Sequence, residues 1–113
     1  MKKSKFNAKH YIWGDHCDGW YLVETNDLSI IQERMPPNTS EVRHFHQSSR
    51  QFFFILSGVA TIEVNGGRVL LHPMEGIQIP PLAPHQIFNE TEHDLEFNVT
   101  SQPNSKGDRI LEK

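Results

Sequence analysis

The stretch His44-Phe45-His46, followed by Gln51 and the run Phe52-Phe53-Phe54-Ile55-Leu56, decides how this chain is read. Side chains along a strand alternate with a period of two, so a His-x-His pair there puts both imidazoles on one face. Phe45 then points the other way, as a core residue should. Two histidines at this spacing are a weak signal alone. A third, His85, opens another strand-like segment, and three converging imidazoles make a donor set for a divalent transition metal.

Outward from this stretch the chain reads as strands and turns. Residues 51–56 are aromatic and β-branched, which suits a strand covered on both faces. Ser57-Gly58 bends the chain into 59–64, and Asn65-Gly66-Gly67 is the strongest hairpin signal, feeding 68–71. Further strands are expected at 20–23, 28–35, 41–46, 77–79, 85–89 and 94–100, with Val42 on the histidine face. Turns fall at Trp13–Trp20, Thr25-Asn26-Asp27, Pro36-Pro37-Asn38 and His72-Pro73-Met74. Apolar residues nowhere recur at helical spacing over three turns. About nine short strands with turns every ~8–12 residues predict an all-β sandwich or barrel.

The bulk numbers agree with one domain spanning 1–113. Hydrophobic residues make up 36%, with seven Phe and two Trp, enough for a real core. A net charge of -3 gives no electrostatic argument for nucleic acid or a membrane surface. The one basic cluster, Lys2, Lys3 and Lys5, reads as a solvated tail. No window approaches ~20 consecutive apolar residues, and no apolar secretion signal opens the chain. Cys17 is the single cysteine, so no internal disulfide forms, and a cytoplasmic protein is expected.

At this point the spacing resembles a family. His44-x-His46-(x4)-Gln51-(x6)-Gly58, within residues 36–58, resembles the first motif of the cupin superfamily. Gly76-x-x-x-Pro80-(x4)-His85-(x3)-Asn89, residues 76–89, resembles the second, and 17 residues separate Gly58 from Gly76, as in small bacterial single-domain cupins. The resemblance implies a double-stranded β-helix, or jelly-roll barrel, with residues 1–10 and 102–113 as terminal extensions. It also implies one divalent metal per chain held by His44, His46, the residue at 51 and His85. Cupins are often dimers, and they include dioxygenases, isomerases, epimerases, lyases, sugar-binding domains and storage proteins.

Gln51 departs from the family, which normally carries Glu there. A neutral amide oxygen is a weaker donor than a carboxylate, so the ion keeps close to its full +2 charge. Fe, Zn or Ni is then expected over Mn, and the open positions favour a small anionic substrate. If the histidines face inward, alternation sends Gln51, Phe53 and Ile55 inward, with Phe52, Phe54 and Leu56 outward. His85, Ile87 and Asn89 share a face by the same rule. Phe53, Ile55, Ile87 and Asn89 are the pocket candidates.

Gln32-Glu33-Arg34 is polar inside an otherwise apolar strand, so at least one side chain points into the barrel. Glu33 is the candidate base. His10, His72 and His93 read as surface or tail residues, His16-Cys17 as structural, and Trp13 and Trp20 as caps on the barrel. Gly107-Asp108-Arg109 is expected to anchor the tail by an ion pair. Outward Phe52 and Phe54 need a cover, for which a homodimer is the economical choice. Two functions are carried forward. One is a metal-dependent enzyme of dioxygenase, isomerase or lyase type. The other is a non-catalytic sugar- or acid-binding module with a structural or absent metal.

Overall fold

Short β-branched and aromatic runs punctuated by turn residues cannot sustain a helix. The computed structural model, which describes residues 1–112, accordingly holds only strands, turns and bends. Twelve strands are seen among the described residues: β1 (Lys9–Trp13), β2 (Cys17–Glu24), β3 (Ser29–Met35), β4 (Thr39–Ser40), β5 (His44–His46), β6 (Arg50–Ser57), β7 (Ala60–Val64), β8 (Gly67–Leu71), β9 (Gly76–Ile79), β10 (His85–Asn89), β11 (Leu95–Gln102) and β12 (Arg109–Leu111). One sheet runs β1-β2-β3-β11-β6-β9, and the other β12-β5-β10-β7-β8 with β4 also on β10. All pairings are antiparallel. The two sheets face each other as a jelly-roll barrel, the architecture the motifs imply.

Alternation sets what lies between the sheets. On β6, Gln51, Phe53 and Ile55 are buried, while Phe52 on the opposite face is 43% exposed and stacks on Phe54. β11 buries Leu95, Phe97, Val99 and Ser101 by the same rule. With Met35, Ile62, Ile79 and Ile87 these form one core, and each such apolar side chain contributes about 1.5–3 kcal/mol on burial. Asn65 and Gly66 both take positive φ, 51° and 88°. That is the pattern of a type I′ turn, whose twist matches the strands β7 and β8 that it joins.

The ends differ from their sequence reading. β1 begins at Lys9 and pairs with β2, Lys5 reaches Glu96, and β12 pairs with β5. Neither segment alternates apolar with polar residues, and edge pairing is made by backbone groups whatever the side chains are. His10 therefore sits in β1, with Nε2 2.7 Å from an Asp18 carboxylate oxygen. Val42 is 56% exposed rather than on the histidine face. Residues 41–43 form no strand, so alternation does not carry back past His44. Cys17 lies in the core and His16 in an exposed turn, so the pair builds no site. Trp13 packs against the core edge, whereas Trp20 lies beside His10.

Candidate metal centre

β5 carries His44 and His46 inward, and His85 pairs directly with His44 across from β10. The three imidazoles therefore meet. Their ligating atoms lie within 4.8 Å of one another, and all three residues are buried. Ring centroids are 4.5 Å apart for His44–His85, 5.0 Å for His44–His46 and 5.8 Å for His46–His85.

The backbone orients two of the rings. His44 Nδ1 donates to the Val42 carbonyl at 2.8 Å and His85 Nδ1 to the Ala83 carbonyl at 2.9 Å. That fixes both Nε2 atoms as lone-pair donors, as an outer hydrogen bond does for metal-binding histidines. His85 Nε2 and both nitrogens of His46 are buried without a partner. Gln51 Nε2 donates to Ser101 Oγ at 2.9 Å, which leaves Gln51 Oε1 buried and unpartnered as well. Each unsatisfied buried group costs about 1–3 kcal/mol. A cation would satisfy this set together, so the residues present fit a divalent metal.

Burial keeps the imidazoles neutral, as ligation requires. Desolvation pushes His44 down to about 3 and lowers His46 and His85, and the positive charge of Arg109 adds to this in all three.

Next to the cluster lies a cavity of about 190 Å³ between the sheets, lined in part by Glu33, Glu41, His44, His46, Gln51 and Arg109. The parity left open in β3 is settled by register. Glu33 lies opposite Phe97 and lines the cavity, while Gln32 and Arg34 face outward to Glu96 and Asp18. Gly19 stands between Tyr11 and Glu33 in adjacent strands, and a Cβ there would clash with the Tyr11 ring. The missing side chain lets Tyr11 lie over β2 and donate to Glu33 Oε2 at 2.7 Å. Burial raises Glu33 to about 7, with the Tyr11 bond and Arg109 pulling the other way. Glu41 is raised to about 8 by burial and by the charge of Glu33.

Of the pocket candidates, Phe53 lines this cavity. Ile55 and Ile87 lie deeper, at 0% exposure in the core. Asn89 is structural. Its amide donates to the carbonyls of Met35, Pro36 and His93. Alternation told inward from outward, but not which end of the barrel is open.

Tyr11, Glu41 and Arg109 were missed. Arg109 comes from β12, opposite His46 in register. Its neighbour Asp108 does anchor the tail, though through backbone groups rather than an ion pair. The carboxylate accepts the N–H groups of Gln47, Ser48 and Ser49 at 2.8–3.1 Å. Desolvation raises that carboxyl, but the three N–H groups outweigh it and hold it below the usual range.

A two-sheet antiparallel jelly roll with inward histidines from two strands makes a small barrel whose histidine cluster could hold a metal. The chain belongs to the cupin family: the cupin domain model matches residues 31–101. Solved structures agree on the fold. A predicted oxalate decarboxylase from Thermotoga maritima is 18% identical over 92% of this chain and 100% of that one, with TM-score 0.85. KdgF from Halomonas sp. is 15% identical over 92% and 95%, with TM-score 0.84. A cupin-superfamily sugar phosphate isomerase from Silicibacter pomeroyi is 18% identical over 92% and 76%, with TM-score 0.81. No curated protein matches the chain.

Proposed function

We propose that this cupin is a metal-dependent enzyme that acts on a small organic anion by proton transfer, as an isomerase or lyase does. The observation that carries this reading is one cavity lined by His44, His46, Arg109 and two carboxylates, with His85 completing the histidine cluster beside it. His44, His46 and His85 would hold Fe, Zn or Ni, with the Gln51 oxygen as a fourth donor. Bound there, the ion would supply Lewis-acid stabilisation of negative charge on a substrate oxygen. Every donor is neutral, which favours an anionic ligand. Arg109 makes no ion pair with another described residue and stands at the cavity wall to receive the far carboxylate. Isomerase or lyase is favoured over dioxygenase because paired carboxylates at the site suit moving protons.

The test is to load the protein with Zn, Ni or Fe(II), measure the metal content, and titrate pyruvate by calorimetry. About one ion per chain is expected, with metal-dependent pyruvate binding weakened ~10-fold or more in Arg109→Gln. A wild-type protein that takes up none of these ions refutes the reading. Metal-dependent binding of pyruvate or a sugar without any turnover would favour the binding module instead. We also assign the Phe52 and Phe54 face to a homodimer in the cytoplasm, to be checked by light scattering.

A further inference from the structure

Two carboxylates share the cavity, and their surroundings differ. Glu33 is satisfied by Tyr11. Glu41 is not: its Oε1 is buried with no partner, although its backbone is tied on both sides. The Glu41 N–H donates to the Ile87 carbonyl at 3.1 Å, and the Gln86 amide donates to the Glu41 carbonyl at 2.8 Å. The segment is thus fixed to β10, the strand of His85, while its carboxyl is left to face the cavity. Once ionised, a carboxyl so placed costs stability rather than adding to it. What it offers is a fixed proton-transfer group beside the ion site.

Resting on the metal-dependent reading above, we propose that Glu41 is the catalytic proton carrier of this site. Its substrate class is a small carboxylic acid with an acidic C–H next to a carbonyl or hydroxyl-bearing carbon. Glu33 is the positioning residue, held by Tyr11, whose charge faces Glu41 across the cavity. The titratable and charged groups that line the cavity with Glu41 are Glu33 from β3, Arg109 from β12, His44 and His46 from β5, and Tyr11 and Tyr21 from β1 and β2. Two carboxylates face one guanidinium, so the pair retains a proton near neutrality. The raised values of both groups point the same way.

The step balances without an oxidant. The C–H bond beside the carbonyl breaks, its electron pair forms the enolate double bond, and the carbonyl oxygen takes the charge. The proton goes to the ionised form of the Glu41 carboxyl, which first releases its own proton to solvent. Where the α-carbon bears a hydroxyl, that hydroxyl's proton passes to the former carbonyl oxygen and Glu41 returns its proton to the former carbonyl carbon, which isomerises the substrate. Where a β-substituent is present, its departure with its bonding pair eliminates it.

The test uses zinc-loaded full-length protein and pyruvate in heavy water, with loss of the methyl proton signal followed by NMR. Exchange faster than with free zinc is expected. Glu41→Gln should slow it about 100-fold with zinc content and pyruvate affinity kept, and Glu41→Asp should recover part of the rate. A second readout needs no substrate: the infrared band of a protonated carboxyl, which should persist at neutral pH and vanish in Glu41→Gln. Wild-type exchange no faster than free zinc, undiminished exchange in Glu41→Gln, or loss of zinc from that variant would each overturn the proposal. Loss of zinc would make Glu41 a ligand. Failure of the wild type to bind zinc at all would instead strike the metal-dependent reading.

Discussion

Replacing Gln51 by Glu tests the centre most directly. Gln51 Oε1 is buried and unpartnered beside the histidines, and the amide is held on its other side by Ser101 Oγ. In Gln51→Glu a carboxylate takes the place of that oxygen, and the Ser101 hydroxyl can turn to donate to it. Unit charges ~4 Å apart attract by about 4 kcal/mol at an effective dielectric of 20, so a divalent ion gains about twice that. Most of the gain offsets desolvation of the carboxylate. A net of about 3 kcal/mol, or roughly 100-fold tighter binding, is expected, largest for hard ions such as Mn. Without metal the same carboxylate lacks a cation. It should cost the fold about 2 kcal/mol, or roughly 10 °C in Tm for a chain of this size. Calorimetric Mn titration and thermal unfolding with and without metal read both effects. If neither affinity nor metal-free stability changes, residue 51 does not face the ion and the four-donor picture is wrong.

Two further outcomes follow from the geometry. Asp108→Ala removes the acceptor for three successive N–H groups between His46 and Gln51. Partial exposure limits the stability loss to about 1–2 kcal/mol, but zinc affinity should fall about 10-fold, because the loop orients two donors. Unchanged zinc affinity in an equilibrium titration would reduce Asp108 to a tail anchor. The metal-free protein should also lose stability toward both pH extremes. His44 is lowered from 6.5 to about 3, so its contribution is full above 6.5 and is lost as pH falls toward 3. Glu33 and Glu41 are raised from 4.5 to about 7 and about 8, so theirs is full below 4.5 and is lost as pH rises through those values. Denaturant midpoints measured from pH 5 to 9 check this, and a midpoint that climbs steadily into alkali would contradict the raised carboxyls.

What was legible in the chain is what alternation and local turns encode. His44 and His46 fall on one face, Gln51 and Phe53 follow on the next strand, and Asn65-Gly66 closes its hairpin, all from spacing of a few residues. Glu33 was legible as an anomaly, a polar residue in an apolar strand. The rest depends on register between distant strands. Tyr11 reaches Glu33 only because β1, β2 and β3 align Tyr11, Gly19 and Glu33. Arg109 enters the cavity only because β12 pairs with β5. A bare glycine and a polar C-terminal segment give no hint of either alignment.

The position of the carboxylates gives the site its logic. A carboxylate at residue 51 would sit on the ion, where ligation lowers its proton affinity and leaves it poorly suited to carry a proton. In this chain position 51 is neutral, and acidic groups stand instead on the cavity walls at Glu33 and Glu41. The ion would keep its charge for the substrate, and the carboxylates would keep their raised affinity for a proton. If the two functions are separated in this way, Gln51→Glu and Glu41→Gln should fail differently. The first should bind metal more tightly and anions more weakly, since the centre becomes less positive. The second should bind both normally and lose proton exchange. Identical losses in the two variants would mean that the wall and the ligand set are not independent, and the division of labour would have to be abandoned.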